Sequence, residues 1–71
     1  MRVGVINTID LEGVSSESWG EAAREALREA AKTIRHIQKM DVIDTACSVK
    51  DNKITEFRTQ VRLYFDVEPS R

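Results

Sequence analysis

From Val3 to Leu11 the apolar residues fall on odd positions, Val3, Val5, Ile9 and Leu11, with Asn7 the exception. Period two over this stretch predicts a half-buried strand, which Gly13 is expected to end. A period of three and four then takes over: Trp19, Ala23, Ala26, Leu27, Ala30, Ile34 and Ile37 form one apolar stripe, predicting a helix from about Trp19 to about Gln38. Ser18 with Glu21 three residues on fits a capping box at its start, with Ser15 as a rival cap. Glu21/Arg24, Glu25/Arg28 and Glu29/Lys32 are i,i+3 pairs on the other faces, each worth a few tenths of a kcal/mol. The alanines allow a sheet to approach the helix axis closely.

Two β-type segments follow. Asp41 to Val49 is the first, "KDNK" offers a turn, and Ile54 to Val67 alternates most cleanly of all. The last strand carries Phe57, Val61, Leu63, Phe65 and Val67 on its odd face and Glu56, Arg58, Gln60, Arg62, Tyr64 and Asp66 on its even face. The middle strand alternates poorly: Val42 and Ala46 point one way, Ile43, Cys47 and Val49 the other. A strand apolar on both sides is usually covered on both, and with a single helix the second cover has to come from a neighbouring subunit. The element order β-α-β-β gives an α+β fold. Its three-stranded antiparallel sheet has spatial order 1-3-2 and packs on one long helix. The hairpin register stays open: pairing Val49 with Ile54 sets Ala46 opposite Phe57, and one extra loop residue sets Cys47 there.

Length sharpens the demand for partners. The 71 residues are read as one domain, 1–71, whose own core supplies just a few kcal/mol. One cysteine excludes an internal disulfide, and one histidine without a second thiol disfavours a structural zinc. Oligomerisation is the remaining staple. With 11 basic and 12 acidic residues the formal charge is −1, so no field draws nucleic acid or anionic lipid. No apolar run has the length of a signal peptide or a membrane span, and the expectation is a soluble, cytoplasmic protein with a reduced thiol.

Candidate chemistry is sparse. Cys47 and His36 are the two members of any thiolate couple, yet one lies mid-strand and the other at the basic end of the helix, so the chain is read as no enzyme. Asp41, Asp44 and Asp51 lack the every-second-residue spacing of a helix-loop-helix calcium loop. Trp19 is expected to anchor the helix start on the sheet. On the last strand Arg58 and Arg62, with Gln60 and Tyr64, make a ladder of donors, either a solvated face or the lining of an intersubunit pocket.

At "EGVSSESWGEAAREALREAAKTIRHIQKMDV" the chain resembles the dodecin family, in the glycine and serines before the helix and in "KTIRH" near its end. The closing Phe65, Asp66, Val67 and Glu68 resemble the family's F-x-[LV]-E. The resemblance runs without gaps from about Ile9 to Glu68 and implies a hollow, spherical homododecamer that stores or buffers a small ligand. Flavin-binding members carry a stacking tryptophan where this chain has Lys39, a glutamine at Arg58 and a glycine at Tyr64. These three departures argue against ordinary flavin stacking, although flavin is the ligand the family implies. A branch called calcium dodecins similarly lacks that tryptophan and carries the equivalents of Trp19 and Arg58. It implies calcium by analogy, with no ligand set that maps onto this sequence. The candidate contacts are Lys39, Ser48, Arg58 and Gln60, with Lys39 and Arg58 together expected to favour an anionic ligand such as a phosphate-bearing cofactor. The alternative is a structural shell with no specific ligand, or a flavin or calcium binder at subunit interfaces.

Overall fold

The computed structural model describes residues 5–66, in the order β1 (Ile6–Ser15), α1 (Trp19–Ala31), β2 (Ile37–Lys50) and β3 (Lys53–Asp66). The sheet is antiparallel with β3 in the middle, the expected order β1-β3-β2. Val3, Val67 and Glu68 lie outside the described residues.

Gly13 does not end the first strand. It pairs with Thr59 and is buried because α1 crosses directly above it: a Cβ added there would stand 1.7 Å from the Ala22 carbonyl oxygen. The helix settles on the sheet through Ala22, Ala23, Ala26 and Ala30, and beneath it Thr59, Val61 and Leu63 are sealed from solvent. Leu11 and Met40 pack against that core. Its start is capped by Ser18, whose Oγ accepts from the Glu21 amide at 3.0 Å. The capping box is only half made. Glu21 turns its carboxylate to Arg24, and the rival Ser15 accepts instead from the Glu17 and Ser18 amides. The i,i+3 pairs Glu21/Arg24, Glu25/Arg28 and Glu29/Lys32 all form.

The helix is shorter than its apolar stripe, ending at Ala31 rather than near Gln38. The amides of Lys32 and Thr33 bond three residues back, to Glu29 and Ala30, tightening the last turn. The β-branched Thr33 and Ile34 follow, a pair that fits a helix poorly, and His36 takes a left-handed conformation at φ 63°. β2 therefore starts at Ile37, four residues before the expected Asp41, and Lys39 is a strand residue.

Register shifts also correct the reading of the middle strand. Pairings pass from Ile37/Phe65 to Lys39/Tyr64 and from Val42/Val61 to Asp44/Gln60, so Gln38 and Ile43 are extra residues on β2. Each bulge flips the parity of everything beyond it. Val42 and Cys47, which simple alternation puts on opposite sides, therefore share the helix side of the sheet, with Met40 and Thr45. The strand is not apolar on both faces. Near the turn, Thr55 is the extra residue on β3: Val49 pairs with Ile54 and Cys47 with Phe57, combining one half of each register that alternation allowed. Asp51 and Asn52 close the hairpin with positive φ at both positions, the geometry of a two-residue type I′ turn.

Candidate functional site

The sheet face turned away from α1 is mostly polar. Register places its side chains in rows across β1, β3 and β2: Thr8/Tyr64/Lys39, Asp10/Arg62/Asp41, Glu12/Gln60/Asp44 and Val14/Arg58/Ala46, with Glu56/Ser48 beyond. All four candidate contacts, Lys39, Ser48, Arg58 and Gln60, lie on this one face. They are not one cluster. Arg58 and Ser48 touch, with Arg58 Nε donating to Ser48 Oγ at 2.9 Å. Lys39 sits in the Tyr64 row, six residues along β3 from Arg58, which is roughly 20 Å away. Gln60 lies exposed between them.

Lys39, Arg58 and Arg62 on this face already have carboxylate company. Arg62 grips Asp10 in a fork, Nε to Oδ1 at 2.8 Å and the second nitrogen to Oδ2 at 3.1 Å. That hydrogen bond, with the charge of Arg62 behind it, holds the Asp10 carboxyl below its ordinary value, and Asp10 in turn drives the guanidinium further from deprotonation. Arg58 donates to Glu56 Oε1 at 3.2 Å and has Glu12 Oε1 at 3.7 Å, while Ser48 Oγ donates to the same Glu56 oxygen at 3.2 Å. Lys39 Nζ lies 4.5 Å from the centre of the Tyr64 ring and 3.7 Å from Asp41 Oδ1. The ring is held from its far end, its hydroxyl donating to Asp41 Oδ2 at 2.7 Å. From Thr8 to Ser48, the described face thus sets Asp10, Glu12, Asp41, Asp44 and Glu56 against Lys39, Arg58 and Arg62. Within one chain Lys39 and Arg58 stand too far apart to touch one small anion, and each is partly neutralised.

Sequence reasoning found the bases and missed the acids that hold them. Glu56 was legible, two residues before Arg58 on the same face. Asp10, Glu12 and Asp41 were not, since the first two come from β1 and the bulges at Gln38 and Ile43 set the third in its row. Trp19 does anchor the helix start, its ring edge-on to Phe57 at 5.1 Å and its Nε1 donating to the Ala46 carbonyl at 3.0 Å. Cys47 carries a free thiol beside Phe57 on the helix side. Among the described residues no group of three or more His, Cys, Asp or Glu side chains is placed to hold a metal ion. No described helix is long and apolar enough to cross a membrane.

The family model for dodecin matches residues 5–68. The chain belongs to the dodecin family. Among solved structures, a calcium dodecin from Mycobacterium tuberculosis, described as a calcium-chelating immunodominant antigen, is 32% identical with a TM-score of 0.81, covering 96% of this chain and 97% of that one. A single-residue variant of the Thermus thermophilus dodecin is 28% identical at a TM-score of 0.86, over 92% of this chain and 97% of the other. The dodecin from Streptomyces coelicolor is 21% identical at a TM-score of 0.87, covering 93% and 94%, and shows the shared fold alone. No curated protein matches the sequence. These dodecins share with the chain its helix, its three strands and their order.

Proposed function

We propose that the chain is a non-enzymatic protein that binds or buffers a small ligand as a homododecamer, holding it between copies against the polar sheet face. The observation that carries this reading is the uncovered apolar surface behind that face. Val42, Val49 and Ile54 are 57%, 64% and 58% exposed on the helix side of the β2–β3 hairpin, where α1 does not reach. A core of four alanines, one valine and one leucine is small for a chain that leaves such side chains wet. Copies of the chain are the natural cover, and family membership supports twelve of them. With its bulges the middle strand is not apolar on both sides, and the exposed hairpin is the surface that calls for cover.

Ser48, Arg58, Gln60 and Lys39 are the proposed ligand contacts, reached from different copies rather than from one. Flat flavin stacking is disfavoured, because Tyr64 is the one aromatic residue on the described face and Lys39 lies over its ring. A second reading, calcium held by carboxylates from several copies, is supported by the carboxylates Asp10, Glu12, Asp41, Asp44 and Glu56 on this one face and by the calcium dodecin relative. In that case Glu12 and Asp44, flanking Gln60 in one row, are the groups to test first. Native mass spectrometry of the purified assembly separates these readings from a bare shell. A reproducible added mass on the oligomer, with riboflavin fluorescence left unquenched at low micromolar protein, supports the proposal; an oligomer of unadorned mass under saturating calcium and cofactor mixtures contradicts it.

A further inference from the structure

Two uncovered apolar surfaces lie at opposite ends of the helix side of the sheet. At one end Val49 and Ile54 pair directly across the hairpin, 64% and 58% exposed, just before the turn at Asp51 and Asn52. At the other, α1 and the start of β2 enclose a cleft of about 450 Å³. Leu27 and Ala31 line it from the helix, Ile34 from the bend that follows, and Ile37 and Met40 from β2. None of these five is fully buried. Val42 follows Met40 on the same side of β2 and carries the apolar strip towards the hairpin.

A projecting pair and a hollow of like chemistry fit each other, yet one chain cannot join them. Met40 and Val49 are nine residues apart on one strand, roughly 30 Å, and stand on one side of a single sheet. The contact therefore has to run between copies. Two hairpin ends laid against each other would cover one flank of two side chains apiece, whereas the cleft surrounds an inserted pair from helix, bend and strand and gives each carbon more close neighbours. Head-to-tail contact of this kind leaves every copy with one hairpin and one cleft to engage, and it closes into a finite assembly when the rotation between copies allows. We infer that the Val49/Ile54 end of one copy's hairpin docks in the cleft formed by Leu27, Ala31 and Met40 of a second copy. The inference rests on the reading of the chain as a homo-oligomer and adds which surfaces meet. Lys50 and Lys53, the next residues towards the turn, point to the opposite face and stay out of the cleft.

The test uses two variants, each damaging one surface. Val49→Glu/Ile54→Lys sets opposite charges across the hairpin, which keeps its strands together and makes its end polar. Ala31→Arg fills the cleft from an exposed position in the last turn of α1, where a cation suits the helix dipole. Light scattering over a dilution series, with a far-UV spectrum at each step, follows wild type, each variant and their equimolar mixture. Each variant alone is expected to come apart at a concentration about tenfold or more above that of wild type. In the mixture one chain keeps a sound hairpin and the other a sound cleft, so the mixture should form larger folded particles than either variant does alone at the same total concentration. Ala31→Arg dissociating like wild type, or a mixture no larger than its components, overturns the inference and leaves the wild-type assembly standing; a wild-type monomer overturns both. If the hairpin variant loses its strands, Val49→Thr/Ile54→Thr takes its place with the same outcomes.

Discussion

Replacing Gly13 by alanine tests the packing that holds the fold together. The added Cβ would lie 1.7 Å from the Ala22 carbonyl oxygen, 2.7 Å from its carbon and 3.2 Å from the Ala26 amide nitrogen. Comfortable contact begins at about 3.5 Å, so helix and strand have to part by roughly 2 Å. The obstacle is backbone on both sides, with no side chain able to rotate away. Parting them loosens Ala22, Ala23 and Ala26, half of the buried apolar core. Overpacking commonly costs about 1–3 kcal/mol, and a backbone obstacle belongs at or above the upper end. A loss of about 3 kcal/mol lowers the melting temperature of so small a domain by roughly 12 °C or more. No described glycine has positive φ, so the penalty is purely steric. Gly20 supplies the control: a Cβ there meets nothing nearer than 3.8 Å, and Gly20→Ala in the first turn of α1 should gain about 0.5 kcal/mol. Thermal melts by far-UV circular dichroism at fixed protein concentration read both. A Gly13→Ala protein that melts within a few degrees of wild type would refute the close approach of α1 to β1.

Three further outcomes are expected. Thr59 is 1% exposed and its hydroxyl donates to the Trp19 carbonyl at 2.8 Å, so Thr59→Val should cost about 1 kcal/mol in urea unfolding; a neutral result would mean that this bond anchors nothing. In the type I′ turn, Asn52→Val should cost about 1–2 kcal/mol and Asn52→Gly nothing, since both turn residues have positive φ; equal melting of the two variants would contradict the turn. The Asp10 carboxyl, held low by Arg62, contributes stability that is present above its unfolded value and lost as pH falls through its folded value, in the acid range below about 4. Its carboxyl carbon, followed by NMR, should titrate at higher pH in Arg62→Gln than in wild type, and an unchanged midpoint would dissolve the fork.

Much of the architecture could be read from side-chain period alone. The β-α-β-β order, the central place of the last strand and the helix start at Ser18 all follow from alternation, turn residues and one capping serine. What alternation could not supply was the effect of single extra residues. Gln38, Ile43 and Thr55 are ordinary strand residues with no mark of a bulge, yet they decide which side of the sheet Val42, Cys47 and Val49 occupy. Ile34 and Ile37 continue the apolar period into chain that is no longer helical, and both are half-buried without another helical turn. On the polar face the bases were legible as a ladder on one strand. Their partners Asp10, Glu12 and Asp41 come from the two strands beside it, and cross-strand neighbours depend on register, which one sequence leaves free. Gly13 reads as a stop in sequence because a glycine weakens a strand; here it is the opening through which the helix touches the sheet.

The most direct measurement is the mass of the folded particle by light scattering across a dilution series, with a far-UV spectrum at each step. A single species near twelve times the 8.1 kDa of one chain, persisting on dilution until the secondary structure is lost with it, is the predicted result. A monomer that keeps its helix and sheet at high dilution, leaving Val42, Val49 and Ile54 in water, would contradict both the assembly and every ligand site placed between copies.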